Sequence, residues 1–305
     1  MNVNYKYKLK PFDHQVTALE QGWDRPEFGY FMEMGTGKSK VLIDNIGMLF
    51  LEGKINFALV IAPKGVYRNW VAKEIPEHMS NEVPHRVIRW VSGGTKKQQA
   101  EVQSVKEPFA GLTIFVMNVE AFSSVKGSTA GKWMSRALGP YGLIAIDEST
   151  TIKNHKAKRT KQLMGIAEGF KYRRLLTGSP VTKSPMDIYS QFEFMRKGLL
   201  GHESYYSFQG RYAVTQRRTM GAQAFQQIVG YKNIDELTNK IDMFAYRVLK
   251  KDCLDLPDKI YTKYSFHPNR HSQQYDQCIL GQCFRDCNES PIFYSPEEIS
   301  QNSFF

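Results

Sequence analysis

With 305 residues, 42% of them hydrophobic, the chain can bury a sizeable core: one large α/β domain with an appendage, or two small domains. Its polar, lysine-bearing start has no apolar segment behind it and no run of about 18 apolar residues occurs anywhere, which argues against secretion and membrane insertion and for a cytoplasmic protein. Four cysteines are too few for a disulfide framework, and a formal charge of +11 favours a polyanionic partner, because lysines and arginines that neutralise phosphates release condensed counterions.

Short apolar runs rich in β-branched residues recur at 29–32, 57–62, 86–91, 112–117, 143–146 and 174–176, and each predicts a strand. Between the first two, Val41, Leu42, Ile46, Leu49 and Phe50 fall at helical spacing, as do Leu163, Ile166 and Ala167 before the last. Such alternation predicts a parallel sheet covered by helices over residues 1–185. Near Pro185 the pattern changes. Residues 186–250 are aromatic and polar, with helix-like segments at 186–195 and 234–249, and predict a helical appendage; 251–305 reads as a linker and an irregular tail.

Two segments carry chemistry. Met34-Gly35-Thr36-Gly37-Lys38-Ser39 stands between a predicted strand and a predicted helix, the setting of a phosphate-binding loop. Gly35, Thr36 and Gly37 would bring backbone N–H groups to the phosphates of ATP, Lys38 would reach the β and γ phosphates, and Ser39 would hold Mg²⁺. A strict Walker A loop would also have glycine where this chain has Met32, so the match is to the shorter helicase form. The apolar run 143–146 ends in Asp147-Glu148, two carboxylates at the C-terminal edge of a parallel sheet, where ligands of such sheets bind. Asp147 is expected to orient the magnesium shell and Glu148 to activate the attacking water.

The order of these and further segments resembles the Swi/Snf-type DNA translocases of helicase superfamily two, from about residue 8 to residue 277. Phe12-Asp13-His14-Gln15 looks like the family's glutamine motif, which implies that Gln15 reads the adenine edge. Ile61-Ala62-Pro63-Lys64, with Trp70 and Glu74, is similar to motif Ia, implying a DNA contact at Lys64. The run from Asp147 through Ile152-Lys153-Asn154 resembles motif II with its trailing extension, and Leu176-Thr177-Gly178-Ser179-Pro180 looks like motif III, implying coupling roles for Thr177 and Ser179. Arg247, Lys250-Lys251-Asp252 and Leu256-Pro257-Asp258-Lys259 resemble the segment that leaves the first lobe. The resemblance implies a RecA-like ATPase lobe that hydrolyses ATP with Mg²⁺ and grips the backbone of double-stranded DNA.

The chain departs from the family in three places. Thr150 stands where the family has histidine, a residue thought to link the acidic pair to motif III, so coupling is expected to differ. Asn118-Val119-Glu120 lacks the serine or threonine of motif Ib. No motif V or VI is found; the second RecA-like lobe such motors use would be naturally missing, lost by truncation or supplied by a separate polypeptide, turnover without it should be weak, and the competing reading is a DNA- or partner-binding regulator. Among weaker signals, Lys153, Lys156, Lys158, Arg159 and Lys161 form a basic cluster that suits either a phosphate backbone or a solvated helix face. Tyr205 to Tyr212 is expected to pack the appendage rather than stack on bases, and Cys253 to be a buried thiol. His271, Cys278, Cys283 and Cys287 have spacings that do not favour zinc.

Overall fold

A computed structural model describes residues 4–220 and 223–253. Helix α1 (Asp13–Gly22) leads into β1 (Glu27–Met32) and α2 (Lys38–Leu51); β2 (Phe57–Ala62) is followed by α3 (Tyr67–Asn69), a π-helical turn (Trp70–Glu74) and α4 (Ile75–His78). Then come β3 (His85–Arg89), α5 (Lys96–Gln103), β4 (Leu112–Asn118), α6 (Val125–Ala137), β5 (Gly142–Asp147), α7 (Lys158–Ala167) and β6 (Tyr172–Thr177). All six strands expected from the apolar runs are present.

Strand periodicity decides how this chain buries itself. In β2, Phe57, Leu59 and Ile61 enter one hydrophobic core while Ala58, Val60 and Ala62 enter another; in β5, Ile144 and Ile146 part in the same way from Leu143 and Ala145. Both faces are therefore covered, as near-continuous apolar strands require. The sheet has seven strands in the order β3-β4-β2-β5-β6-β1-β9, the last being Ala245–Val248, and every pairing in it is parallel. This order puts β5, β6 and β1 side by side. Ligands of open parallel sheets bind beyond the C-terminal strand ends, so the loops after these three strands share one edge.

The region 186–250 contains the expected helical segments as α8 (Asp187–Met195) and α10 (Ile234–Asp242), with a further helix, α9 (Tyr205–Tyr212), between them, but also strands that periodicity does not reveal. Strands β7 (Ala213–Met220) and β8 (Gln223–Tyr231) pair antiparallel as an isolated hairpin. Thr215, Gln216, Arg217 and Arg218 are all exposed, and a ribbon wet on both faces leaves no alternation of apolar and polar residues. The helical reading of 234–249 is too long. The helix stops at Asp242, and Ala245–Val248 forms β9, which joins the main sheet beside β1 before a last turn, α11 (Lys250–Cys253). Here sheet pairing overrides local helical preference.

Arg174 on β6 is fully buried without a carboxylate partner among the described residues. Its guanidinium donates to Asn45 Oδ1 at 2.8 Å and to the carbonyls of Gly22, Trp23, Pro26 and Arg173 at 3.0–3.1 Å. Gly22 and Trp23 close α1, so the cation sits at the negative end of that helix dipole and ties α1, α2 and the entry of β1 together. Burial pulls the guanidinium below its ordinary pKa, with Tyr30 the first of the groups opposing the shift.

Candidate functional site

The loop after β1 needs glycine twice. Gly35 and Gly37 have φ of +86° and +87°, and a Cβ on Gly37 would come within 2.2 Å of Gln15 Nε2. Gly37 caps α2, so Lys38 and Ser39 open the helix at its positive end. Lys38 is buried and its Nζ lies 3.8 Å from Glu148 Oε1. Phosphate loop and acidic pair, far apart in sequence, are thus brought together.

Gln15 is buried against this loop. Its Nε2 donates to Thr36 O at 3.0 Å and its Oε1 accepts from Phe12 N at 3.1 Å, while His14 Nε2 lies 2.8 Å from the same Thr36 carbonyl. Gln15 therefore braces the loop. One N–H and one lone pair stay available to a base edge.

Asp147 ends β5 and is buried, with Trp70 Nε1 donating to its Oδ2 at 2.9 Å. Trp70 starts the π-helical turn, a local widening of the helix of the kind often found at functional sites. Burial pushes the Asp147 carboxyl above the ordinary carboxylate range; the Trp70 N–H and Lys38 pull it back, and Glu148 adds to the rise. Glu148 leaves the strand at φ 52°, ψ 65°, a left-handed conformation that costs a non-glycine residue about 1 kcal/mol or more. The reward is direction: the carboxylate turns toward Lys38 instead of following the strand. The donor set suits a magnesium nucleotide. Two positive-φ glycines, a buried lysine, the Ser39 hydroxyl and the Asp147 carboxylate are what phosphates and a hard cation require.

Motif III sits between them. Phe31 and Thr177 are partners in the β1–β6 ladder, and a Cβ on Gly178 would lie 3.2 Å from Met34 N, so this turn packs on the backbone that begins the phosphate loop. Thr177 is buried and its Oγ1 accepts from Ser179 N at 3.2 Å. Sequence reading missed the residue that joins this turn to the acidic pair. Gln191 on α8 accepts from Ser149 Oγ at 2.6 Å and donates to Pro180 O at 2.7 Å. The side chain thus spans motifs II and III although Thr150 replaces the family's histidine.

Lys64 is exposed; its N–H stands 3.5 Å from Glu120 Oε1, while Asn118 Nδ2 donates to Glu120 Oε2 at 3.0 Å. Glu120 therefore bridges the turns after β2 and β4. Of the basic cluster, Lys153 contacts Thr182 and Asp187, and Arg159 donates to Thr151 O at 3.1 Å, which leaves Lys156, Lys158 and Lys161 exposed. Tyr205 stacks on His155 at 3.7 Å, and Phe208 and Tyr212 are fully buried, so this aromatic run packs α9 onto the motif II extension. Tyr206 alone among them is largely exposed. Cys253 is half-buried, not buried, with Sγ 3.2 Å from Leu249 O. His271, Cys278, Cys283, Cys287 and 256–259 lie outside the described residues. Among the described residues no helix is long and apolar enough to cross a membrane, and no cluster of three or more acidic, histidine or cysteine side chains could hold a metal by itself.

Comparison with known proteins agrees with this geometry. Residues 30–289 match the model of the SNF2-related domain. The chain is 25% identical over 267 residues to an uncharacterized ATP-dependent helicase of Mycoplasma genitalium, covering 86% of this chain and 22% of that protein. Over 127 residues it is 32% identical to a TATA-binding protein-associated factor of Saccharomyces cerevisiae, 41% of this chain and 7% of that one. Among solved structures, the Sulfolobus solfataricus SWI2/SNF2 ATPase core in complex with dsDNA has the same fold, with a TM-score of 0.60, 21% identity, and coverage of 95% of this chain and 56% of that one. The chain therefore spans a quarter or less of these two curated relatives and about half of the solved core.

Proposed function

The chain belongs to the SNF2-related family, and from that premise we propose that it is the ATP-binding and ATP-cleaving first RecA-like lobe of a motor acting on double-stranded DNA. The observation that carries this reading is the convergence, beyond three adjacent strand ends, of the glycine loop with Lys38, the Asp147-Glu148 pair and the Thr177–Pro180 turn. Lys38 and Ser39 hold the phosphates and Mg²⁺, Asp147 orients the metal's water shell, and Gln15 reads adenine. Mg²⁺ supplies Lewis-acid charge stabilisation when bound. Glu148 accepts the proton of the attacking water; Lys38, 3.8 Å from that carboxylate, switches its charge to the nucleotide. Lys64, Thr177 and Ser179 carry the DNA contact and the coupling to it.

Charge building on the transferred phosphoryl group also calls for a cation from a facing lobe, worth about 10³–10⁵ in rate in related enzymes. These 305 residues by themselves therefore turn ATP over slowly, and a facing second-lobe polypeptide restores DNA-dependent hydrolysis. The test is a calorimetric titration with Mg-ATP combined with a phosphate-release assay in the presence of such a lobe. Lys38→Ala should abolish binding, whereas Glu148→Gln should bind ATP and release phosphate at least about 10²-fold more slowly. Equal ATP affinity in wild type and Lys38→Ala would overturn the reading.

A further inference from the structure

A Cβ built on Gly35 would lie 2.9 Å from Cε and 3.1 Å from Nζ of Lys250. The ammonium of Lys250 thus rests against the phosphate loop, brought there from the end of the last sheet strand. Three backbone ties hold it in place. Strand β9 runs parallel to β1 with Met32 opposite Val248, Glu33 N donates to Val248 O at 3.1 Å, and Lys250 N donates to Glu33 Oε2 at 2.7 Å. Glu33 immediately precedes the loop, so the carboxylate best placed to neutralise Lys250 binds its backbone N–H.

Lys250 is half-buried, and among the described residues no carboxylate stands within 4.0 Å of its Nζ. Lys38 differs in having Glu148 at 3.8 Å. A partly desolvated ammonium with no carboxylate within 4.0 Å among the described residues, lying on a loop shaped for phosphate oxygens, is stabilised by an arriving anion. The anion that such a loop admits is a polyphosphate.

We propose that Lys250 is a second cation of the phosphate site, contacting the terminal phosphate of a bound nucleoside triphosphate. Through it, the chain leaving β9 senses whether that phosphate is present. The inference rests on the nucleotide reading above and adds a residue from outside the loop and the acidic pair. It also assigns direction: loss of the terminal phosphate removes the ligand of Lys250.

The experiment is isothermal titration of Mg-ADP and of a non-hydrolysable Mg-ATP analogue into the full chain and its Lys250→Ala, Lys250→Arg and Lys38→Ala variants, with melting temperatures recorded without nucleotide. Lys250→Ala should weaken the triphosphate about tenfold and the diphosphate less than about twofold, as loss of one charge-assisted contact requires. Lys250→Arg should retain most of the triphosphate affinity, and the melting temperature should stay within a few degrees of wild type. Equal weakening of both nucleotides, or none, would overturn the inference while leaving the nucleotide reading intact, provided Lys38→Ala still loses binding. If wild type binds neither nucleotide, both ideas fall together.

Discussion

Ser149 donates a 2.6 Å hydrogen bond to Gln191, whose amide group donates in turn to Pro180 O. Both side chains are fully buried, so the turns after β5 and β6 are tied through a buried side-chain pair. Gln191→Leu should lower unfolding stability by about 2 kcal/mol and Ser149→Ala by about 1 kcal/mol. Because they share one bond, the double variant should fall short of the sum by about 1 kcal/mol in urea titrations. Strict additivity would show that the two residues do not act as a unit.

Gln15 braces Thr36, and the proposed nucleotide reading gives it the adenine edge as well. Gln15→Ala should weaken ATP and GTP through the loosened loop, and ATP by about a further tenfold through the lost adenine contact. Competition binding with the two nucleotides measures the ratio. An unchanged ATP/GTP ratio would reduce Gln15 to a brace.

Exposed Lys64, Lys156, Lys158 and Lys161 should bind duplex phosphates rather than bases. Affinity for duplex DNA should then fall steeply with salt, by about 0.9 in log–log slope for each phosphate neutralised. Lys64→Ala should reduce that slope by about 1 and weaken binding to unrelated sequences equally. Fluorescence anisotropy over a salt series would reveal a flat profile, or a strong preference for one sequence, and either result counts against backbone gripping.

Arg174→Met should destabilise the fold by about 3 kcal/mol or more, because the carbonyls of Gly22, Trp23 and Pro26 lose a buried donor together. Arg174→Lys should recover little, since an ammonium cannot reproduce the planar fork. Chemical denaturation of both variants decides whether the residue acts through geometry or through charge alone.

His155, stacked on Tyr205, has its pKa lowered by burial first and then by Lys156 and Lys161. A histidine whose folded pKa lies below its unfolded value adds stability above the unfolded value, about 6.5, and that stability is lost as pH falls through the folded value. Stability should therefore drop on acidification below pH 6.5. His155→Phe keeps an aromatic ring against Tyr205 but cannot take up a proton, so its stability curve should be flatter over that interval. Denaturation midpoints for the two proteins from pH 7.5 to 5 that stay parallel would sink this assignment.

The central sheet could be read in advance because its strands are buried on both faces. Runs such as Phe57–Ala62 and Leu112–Asn118 leave a continuous apolar signal, and the phosphate loop and acidic pair each carry their own chemistry at fixed places beside a strand. Gln191 carried no signal of that kind. It sits in the middle of α8, and only the packing of that helix across two turns gives its amide a role. Strand β9 was hidden because four residues are too few to set a period, and the hairpin because both of its faces meet water. Lys250 looked like part of a connecting segment; its position against Gly35 follows from the β1–β9 pairing, which no local pattern encodes.

Pairing of β1 with β6 and β9 also sets the order of assembly during synthesis. The strand that carries the phosphate loop emerges from the ribosome early, yet its two neighbours, Tyr172–Thr177 and Ala245–Val248, are the last of the seven strands of this sheet to be made. Until they arrive, β1 has two open edges. Closing so long a span is slow, as contacts of high sequence separation are, and the waiting strand is sticky. Completion of the seven-stranded sheet therefore waits for β9, and a ribosome stalled before Ala245 would hold an intermediate with an unpaired edge at β1.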